Sequence, residues 1–347
     1  MRPTRLLVYR LGSLGDTIVC IPALRLVARA FPDATRTMLT NYSVSTKAAP
    51  IAEILENTGL IHDYMEYPLK LRNPRALLAL RNRIRALRPD LLVYLTPPRG
   101  RLKALRDALF FYACGIKTVV GVPYTNDKQV NRKLTTGLYE YEGTRLLRCI
   151  ESLGFQDMDE PEVFDLALTE AEYQAANEVL APFGGAPVLA VSIGTKADVN
   201  DWGDASWRAT LARLSETMPG WTLVMLGAPM ERERSAALAA LWSGSKLNVC
   251  GQTSVRGSAA ILSRVKIYLG HDSGPLHLAA AVGVPCVAIF SSRNLPGEWF
   301  PKGSGHKILY HDINCRGCRL TVCSERDKEC IRSISVAEVV SAVQSLL

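Results

Sequence analysis

The 347-residue chain contains no run approaching the roughly 18 apolar residues that a transmembrane helix needs. Its opening, Met1-Arg2-Pro3-Thr4-Arg5, lacks the apolar region and cleavage site of a secretory signal, so a cytoplasmic location is expected. The glycine-containing turn that follows is neither a G-x-G-x-x-G dinucleotide fingerprint nor a phosphate loop ending in Gly-Lys-Ser/Thr. No recognised nucleic-acid motif or aromatic stacking platform is present, which removes nucleic acid from the expected partners. No short repeat is evident. Among nine cysteines there is one C-x-x-C pair. Cys20, Cys114, Cys149, Cys250 and Cys286 sit in apolar contexts and read as reduced core residues. The others form Cys315-x2-Cys318-x4-Cys323-x6-Cys330. Their number suits tetrahedral zinc but the spacing is irregular, so thiols packing a loop-rich segment are the expectation, with no metal.

What is present is a soluble α/β composition, 48% hydrophobic and 21% charged, in a chain long enough for two cored domains. The net charge of +8 is uneven. Residues 1–150 hold 24 basic and 11 acidic side chains, and residues 151–347 hold 17 and 22. The excess peaks between Lys70 and Arg106, through Arg72, Arg75, Arg81, Arg83, Arg85, Arg88, Arg99, Arg101 and Lys103. Such a surface attracts a phosphorylated glycolipid or an anionic membrane face; the alternative is a pair of solvated helix faces.

Strand and helix patterns alternate throughout, which predicts parallel sheets with helices on both faces. Strands are expected at Leu6–Tyr9, Arg36–Thr40, Asp90–Leu95, Thr118–Val122, Val188–Ile193, Thr222–Leu226, Lys266–Leu269 and Cys286–Phe290. Helices are expected at Asp16–Ala30, Ala48–Glu56, Pro74–Leu87, Leu102–Tyr112, Gly143–Leu153, Glu170–Leu180, Ala205–Thr217, Glu231–Leu241, Ser254–Ser263, Pro275–Val282 and Val336–Leu347. The strongest break is Pro182-Phe183-Gly184-Gly185-Ala186-Pro187, so the linker is placed within residues 154–187. The division expected is 1–165 for an acceptor domain and 166–347 for a donor domain, the latter holding the Cys-rich segment 315–330 and a terminal helix.

Three strand-to-helix turns carry candidate chemistry. In Arg10-Leu11-Gly12-Ser13-Leu14-Gly15-Asp16-Thr17, Gly12 and Gly15 allow a tight turn with close backbone approach to a ligand. Asp16 either stabilises the helix N-terminus or, at the end of the first strand, takes a proton from an acceptor hydroxyl. In His271-Asp272-Ser273-Gly274-Pro275-Leu276-His277, Ser273 and Gly274 offer a hydroxyl and backbone N–H groups to a diphosphate. Asp272 is a cap or a ligand contact, and His277 a packing or a functional histidine. The third, Ser192-Ile193-Gly194-Thr195-Lys196, ends in a lysine placed to neutralise a leaving diphosphate, or merely solvated. The first two of these, in separate halves, suggest an enzyme holding a nucleotide-linked donor and an acceptor.

The turn Arg10–Thr17 followed by Ile21-Pro22-Ala23-Leu24-Arg25 resembles the opening of glycosyltransferase family 9, the ADP-heptose lipopolysaccharide heptosyltransferases. The resemblance returns at Asp201–Trp207, Met225–Pro229, Gly251–Thr253 and, most specifically, Asp272–Ala281. It implies a GT-B fold, two Rossmann-like doubly wound domains facing a cleft. It also implies an inverting, metal-independent transfer with a nucleoside-diphosphate sugar, ADP-heptose, as co-substrate and no cofactor. By the same resemblance Asp16 is the general base, and Gly12, Ser13 and Gly15 lie beside the acceptor. Gly227, Asp272, Ser273, Gly274 and His277 lie beside the donor, and the Ser192–Lys196 turn, read from its own residues, adds Gly194 and Thr195 as donor candidates. The acceptor would be a phosphorylated lipopolysaccharide core or related glycan, with peripheral association at the inner membrane face.

Two departures stand out. The cation usual before the tryptophan of the middle motif is replaced by Asn200-Asp201, so Lys196 is its candidate substitute. The usual Phe-Gly-Pro-Thr is Phe290-Ser291-Ser292-Arg293, where Arg293 is a candidate phosphate contact. The alternatives to transfer are a GT-B sugar-nucleotide epimerase and a non-catalytic glycan- or nucleotide-binding relative.

Overall fold

The computed structural model describes residues 3–41, 51–68, 73–160 and 162–347. Lys70 and Arg72 of the basic run, and residues 48–50 of one expected helix, lie outside them. The chain divides into two compact units, Met1–Phe164 and Asp165–Leu347.

The first unit is a five-stranded parallel sheet of β1 (Arg5–Tyr9), β2 (Thr35–Thr40), β3 (Asp63–Glu66), β4 (Leu91–Tyr94) and β5 (Thr118–Val120). Its order is β3-β2-β1-β4-β5. The chain builds outward from β1 to β3, then returns to lay β4 on the other side of β1. That reversal makes a switch point at the carboxyl ends of β1 and β4, where open α/β sheets bind ligands. β1 and β4 are central, covered on both faces, and so nearly all apolar: Leu-Leu-Val-Tyr in each case is fully buried.

The second unit repeats the plan with six parallel strands: β6 (Val188–Ser192), β7 (Thr222–Met225), β8 (Lys246–Asn248), β9 (Ile267–His271), β10 (Cys286–Phe290) and β11 (Lys307–Tyr310). The order β11-β10-β9-β6-β7-β8 puts its switch point between β6 and β9. The loops after these two strands are Gly194–Lys196 and Asp272–Ser273. Trp202, Trp207 and Trp242 are buried in this unit's core with the terminal helix Val336–Gln344. That helix is closed at its start by a capping box between Ser335 and Glu338.

The sequence pattern misses β3, β8 and β11. All three are edge strands of three or four residues, carrying polar side chains because one side faces water. The helix expected over Gly143–Leu153 stops at Cys149 and continues as a short 3-10 turn, Glu151–Leu153. The glycine–proline break lies inside the second unit, between helix Glu170–Leu180 and β6, with Gly184 and Gly185 at φ +60° and +79°. Helix Glu170–Leu180 is fastened to that unit by Arg256. Its guanidinium pairs with Glu172 at 2.5 and 2.8 Å and donates to the carbonyls of Leu166 and Ala167, each at 2.8 Å.

Candidate active site

In the first unit the backbone leaves β1 through Arg10, Leu11, Gly12 and Ser13 and enters helix Leu14–Ala30. Asp16 occupies the third helical position. Its Oδ2 accepts from the Ser13 backbone N–H and from Ser13 Oγ, both at 2.7 Å. Its Oδ1 lies 3.8 Å from Nη2 of Arg10. The Arg10 side chain is fully buried, donating to the carbonyls of Leu95 (2.7 Å) and Asp16. A buried cation therefore sits behind the carboxylate, and a serine holds one of its oxygens. Gly12 makes room for this: a Cβ there would fall 2.5 Å from Cβ and 2.9 Å from Cγ of Asp16. Asn41 locks the turn, bonding to both the N–H (2.8 Å) and the carbonyl (3.1 Å) of Gly12. Gly15 is buried in the helix's first turn, away from the surface. Both capping bonds fall on Oδ2, so capping leaves Oδ1 of the same carboxylate uncommitted to Ser13.

Beyond β4, part of the basic excess is spent internally. Arg99 Nη2 donates to Asp107 Oδ2 at 2.5 Å and lies over the Tyr9 ring, while Arg106 takes the other Asp107 oxygen at 2.8 Å. Burial and the neighbouring carboxylate push the Tyr9 phenol well above its ordinary range.

In the second unit, β9 ends at His271 and Ser273 opens helix Gly274–Ala281 from an extended conformation. The Ser273 hydroxyl makes no capping bond, and Pro275 in the first turn has no N–H to satisfy, so the helix tip presents unspent backbone donors. Asp272 is placed from three sides. Its carbonyl accepts from Asn200 Nδ2 (3.2 Å), its Oδ2 from Asn294 Nδ2 (3.2 Å), and its Oδ1 lies 3.8 Å from Nε2 of His277. His277 is buried, with its ring edge-on to Trp299. His271 is fully buried: its Nε2 accepts from the Trp202 N–H at 3.2 Å, and burial lowers its pKa to about 4. It is a neutral strut fixing the middle motif to the helix tip.

Across the switch point, Gly194 and Gly227 end β6 and β7 side by side. A Cβ on Gly194 would meet Glu231 Oε1 at 1.9 Å, and one on Gly227 would meet Oε2 at 2.3 Å. Both glycines thus clear space for the Glu231 carboxylate, whose Oε2 also accepts from the Ala228 N–H at 2.8 Å. Sequence reasoning reached the glycines and missed the glutamate. The available signal was the Gly227-x-x-x-Glu231 spacing, one turn beyond a strand end. Thr195 bonds its own loop at Ala197 O, and Lys196 is exposed in that loop. Asp201 binds Arg234 through two 3.0 Å bonds, and Arg234 also binds Asp204 at 2.6 Å. A cation does lie beside the middle motif, but two carboxylates already neutralise it.

Arg293 turns to the cysteine segment, donating through Nε to the Leu320 carbonyl at 2.8 Å. Backbone bonds Gly317 N to Ser292 O (2.8 Å) and Arg319 N to Arg293 O (2.9 Å) fasten that segment beside β10. Cys330 is buried and its thiol raised by burial, whereas backbone N–H groups of Lys328, Arg326 and Glu325 lower that of Cys323. Among the described residues no group of three or more His, Cys, Asp or Glu is arranged to hold a metal.

A sequence profile, "Glycosyltransferase family 9 (heptosyltransferase)", matches residues 103–328. The chain belongs to glycosyltransferase family 9. Membership makes it a glycosyltransferase enzyme of the heptosyltransferase family, and the epimerase and non-catalytic alternatives are not favoured. Lipopolysaccharide heptosyltransferase 1 of Pseudomonas aeruginosa is 27% identical, aligned over 94% of this chain and 89% of the relative. Among solved structures, the family 9 glycosyltransferase of Veillonella parvula superposes with a TM-score of 0.74 at 18% identity, covering 99% of this chain and 97% of that one. The Escherichia coli heptosyltransferase WaaC, solved with ADP-2-deoxy-2-fluoro heptose, gives 0.65 at 16% identity, covering 99% and 100%. The two parallel sheets are those of the GT-B fold.

Proposed function

We propose that this family 9 enzyme transfers heptose from ADP-heptose to a lipopolysaccharide core acceptor, with inversion at the anomeric carbon and without a metal. The second unit holds the donor and the first the acceptor. The carrying observation is the pair of tips at the two switch points: an Asp16 carboxylate braced by Ser13 and Arg10, and an uncapped helix tip with Asp272 and His277 beside it.

The helix tip at Ser273–Gly274 receives the diphosphate, since free N–H groups and the helix dipole favour an anion. Glu231, seated over Gly194 and Gly227, accepts hydrogen bonds from the ribose hydroxyls, as a carboxylate near a strand end does in dinucleotide sites. Asp16 removes the proton from the attacking hydroxyl as its oxygen bonds to the anomeric carbon. The bond to the diphosphate breaks in the same step, and ADP departs with both electrons. Its charge is met by the helix tip and by Lys196, whose loop follows β6. Gly12, Ser13 and the turn they form lie beside the acceptor. Arg293, with its guanidinium on the Leu320 carbonyl, steadies the loop after β10.

Labelled ADP-heptose incubated with a heptose-deficient lipopolysaccharide core tests this directly. Expected are a gain of one heptose on the acceptor, release of ADP, and insensitivity to EDTA. Release of a free epimerised sugar, or tight donor binding with no turnover on any acceptor, refutes it. A thermal-shift comparison of ADP-, GDP- and UDP-sugars separately fixes the nucleotide, because a ligand of the folded state raises apparent stability.

A further inference from the structure

Helix Arg101–Ala113 has two apolar faces. One, formed by Ala104, Ala108 and Phe111 with the ion-paired Asp107, is buried against the core of the first unit. The other, Leu102, Leu105, Leu109 and Tyr112, recurs at steps of three and four residues and is 85, 48, 59 and 48% exposed. At 100° per residue this stripe is bordered by Arg101 on one side and Arg106 on the other, with Lys103 beyond Arg106. Helix Pro74–Leu87 adjoins it, since Arg81 Nε donates to the Ala113 carbonyl at 2.9 Å. That helix fully buries only Leu80 and Ile84, and it exposes Leu77 and Leu78 together with Arg75, Arg83 and Arg85.

The charge carried by this segment is predominantly basic. Residues 73–113 carry nine basic and two acidic side chains. Both acids are engaged, Asp90 with the N–H groups of Thr4 and Arg5, and Asp107 with Arg99 and Arg106. No helix among the described residues is long and apolar enough to cross a membrane. The core of a protein–protein interface is depleted in charge, whereas exposed leucines rimmed by arginine and lysine suit a bilayer surface. We propose that the exposed faces of these two helices dock on an anionic lipid bilayer, the leucines entering the acyl boundary and the cations pairing with lipid phosphates. This deepens the function proposed above, because a glycolipid acceptor would be met at such a surface.

Vesicle sedimentation of the full chain, with no donor present, tests the proposal apart from the chemistry. Phosphatidylcholine vesicles containing phosphatidylglycerol should bind the protein, and pure phosphatidylcholine should bind it weakly. Added salt should weaken the binding. The triple variant Leu102→Ser/Leu105→Ser/Leu109→Ser should lose partitioning by about tenfold or more, and Arg101→Gln/Lys103→Gln should lose the preference for anionic lipid. Thermal stabilisation by ADP-sugar should be unchanged in both variants, which shows that they fold. The single change Leu102→Ser, at the most exposed position, gives a smaller loss in the same direction if the triple variant does not fold. Equal partitioning of wild type and leucine variants, or no binding to either vesicle, overturns the proposal. So does self-association seen by light scattering that the leucine changes abolish. Vesicle binding without donor binding would instead leave this surface standing and sink the transferase reading.

Discussion

Gly12→Ala separates helix capping by Asp16 from its proposed part in transfer without removing its carboxylate. The new Cβ would lie 2.5 Å from Asp16 Cβ, an atom fixed to the helix, so the turn or the rotamer must yield. Either way Oδ2 leaves the Ser13 N–H and Oγ, both now at 2.7 Å. Two hydrogen bonds to a charged, half-buried group are at stake, a loss of about 2–3 kcal/mol in folding stability. A catalytic group displaced by about 1 Å commonly costs on the order of a hundredfold in turnover. Steady-state transfer from labelled ADP-heptose should therefore show kcat down about a hundredfold. The donor's dissociation constant should be unchanged, because the proposed donor site lies in the other unit. Asp16→Asn should lower kcat at least as far, while keeping more of the stability. If Gly12→Ala loses stability yet keeps kcat within about twofold of wild type, the carboxylate is a helix cap and its orientation has no part in transfer.

Three further outcomes follow from the second unit. Gly194→Ala pushes a methyl group into the Glu231 carboxylate, so the donor KM should rise about tenfold or more with kcat little changed; an unchanged KM removes Glu231 from the donor site. His271 stays neutral in the fold down to a pKa of about 4, while in the unfolded chain it protonates near 6.5. Its contribution is complete above the unfolded value and is lost as pH falls towards the folded one, amounting to about 3 kcal/mol at most. Urea unfolding across that window should show a steeper pH dependence for wild type than for His271→Asn, and identical slopes would refute the strut. Arg256→Leu strands Glu172 and two carbonyls and should cost about 3 kcal/mol. Because Arg256 and the Thr169 turn hold the Glu172 carboxyl at about 2, the pair's share is present above the ordinary 4.5 and lost as pH falls through about 2. A urea midpoint unmoved by Arg256→Leu at neutral pH would show the pair to be incidental.

The central strands were legible because burial on both faces demands short apolar runs such as Leu6–Tyr9 and Val188–Ser192. The edge strands were not, since their pairing partner rather than their composition makes them strands. Helix ends with local causes could be read. Pro74–Leu87 begins with a proline in its first turn and ends at Arg88, held at φ +50° just before Pro89. Gly12 and Gly194 were visible as turn residues, but what they make room for was not: the atoms they approach belong to Asp16 and to Glu231, thirty-seven positions beyond Gly194. The supporting asparagines Asn200 and Asn294 gave no pattern at all, being brought to Asp272 by separate loops.

The Arg256 clamp decides where this chain can be cut. The visible glycine–proline seam at residues 182–187 looks like a hinge between modules, yet helix Glu170–Leu180 on its near side belongs to the rear module. A rear fragment started at that seam would lack Glu172 and the carbonyls of Leu166 and Ala167, which the Arg256 guanidinium binds. One started ahead of Asp165 would carry its own lid, and it is the fragment to express when the second unit is to be studied alone.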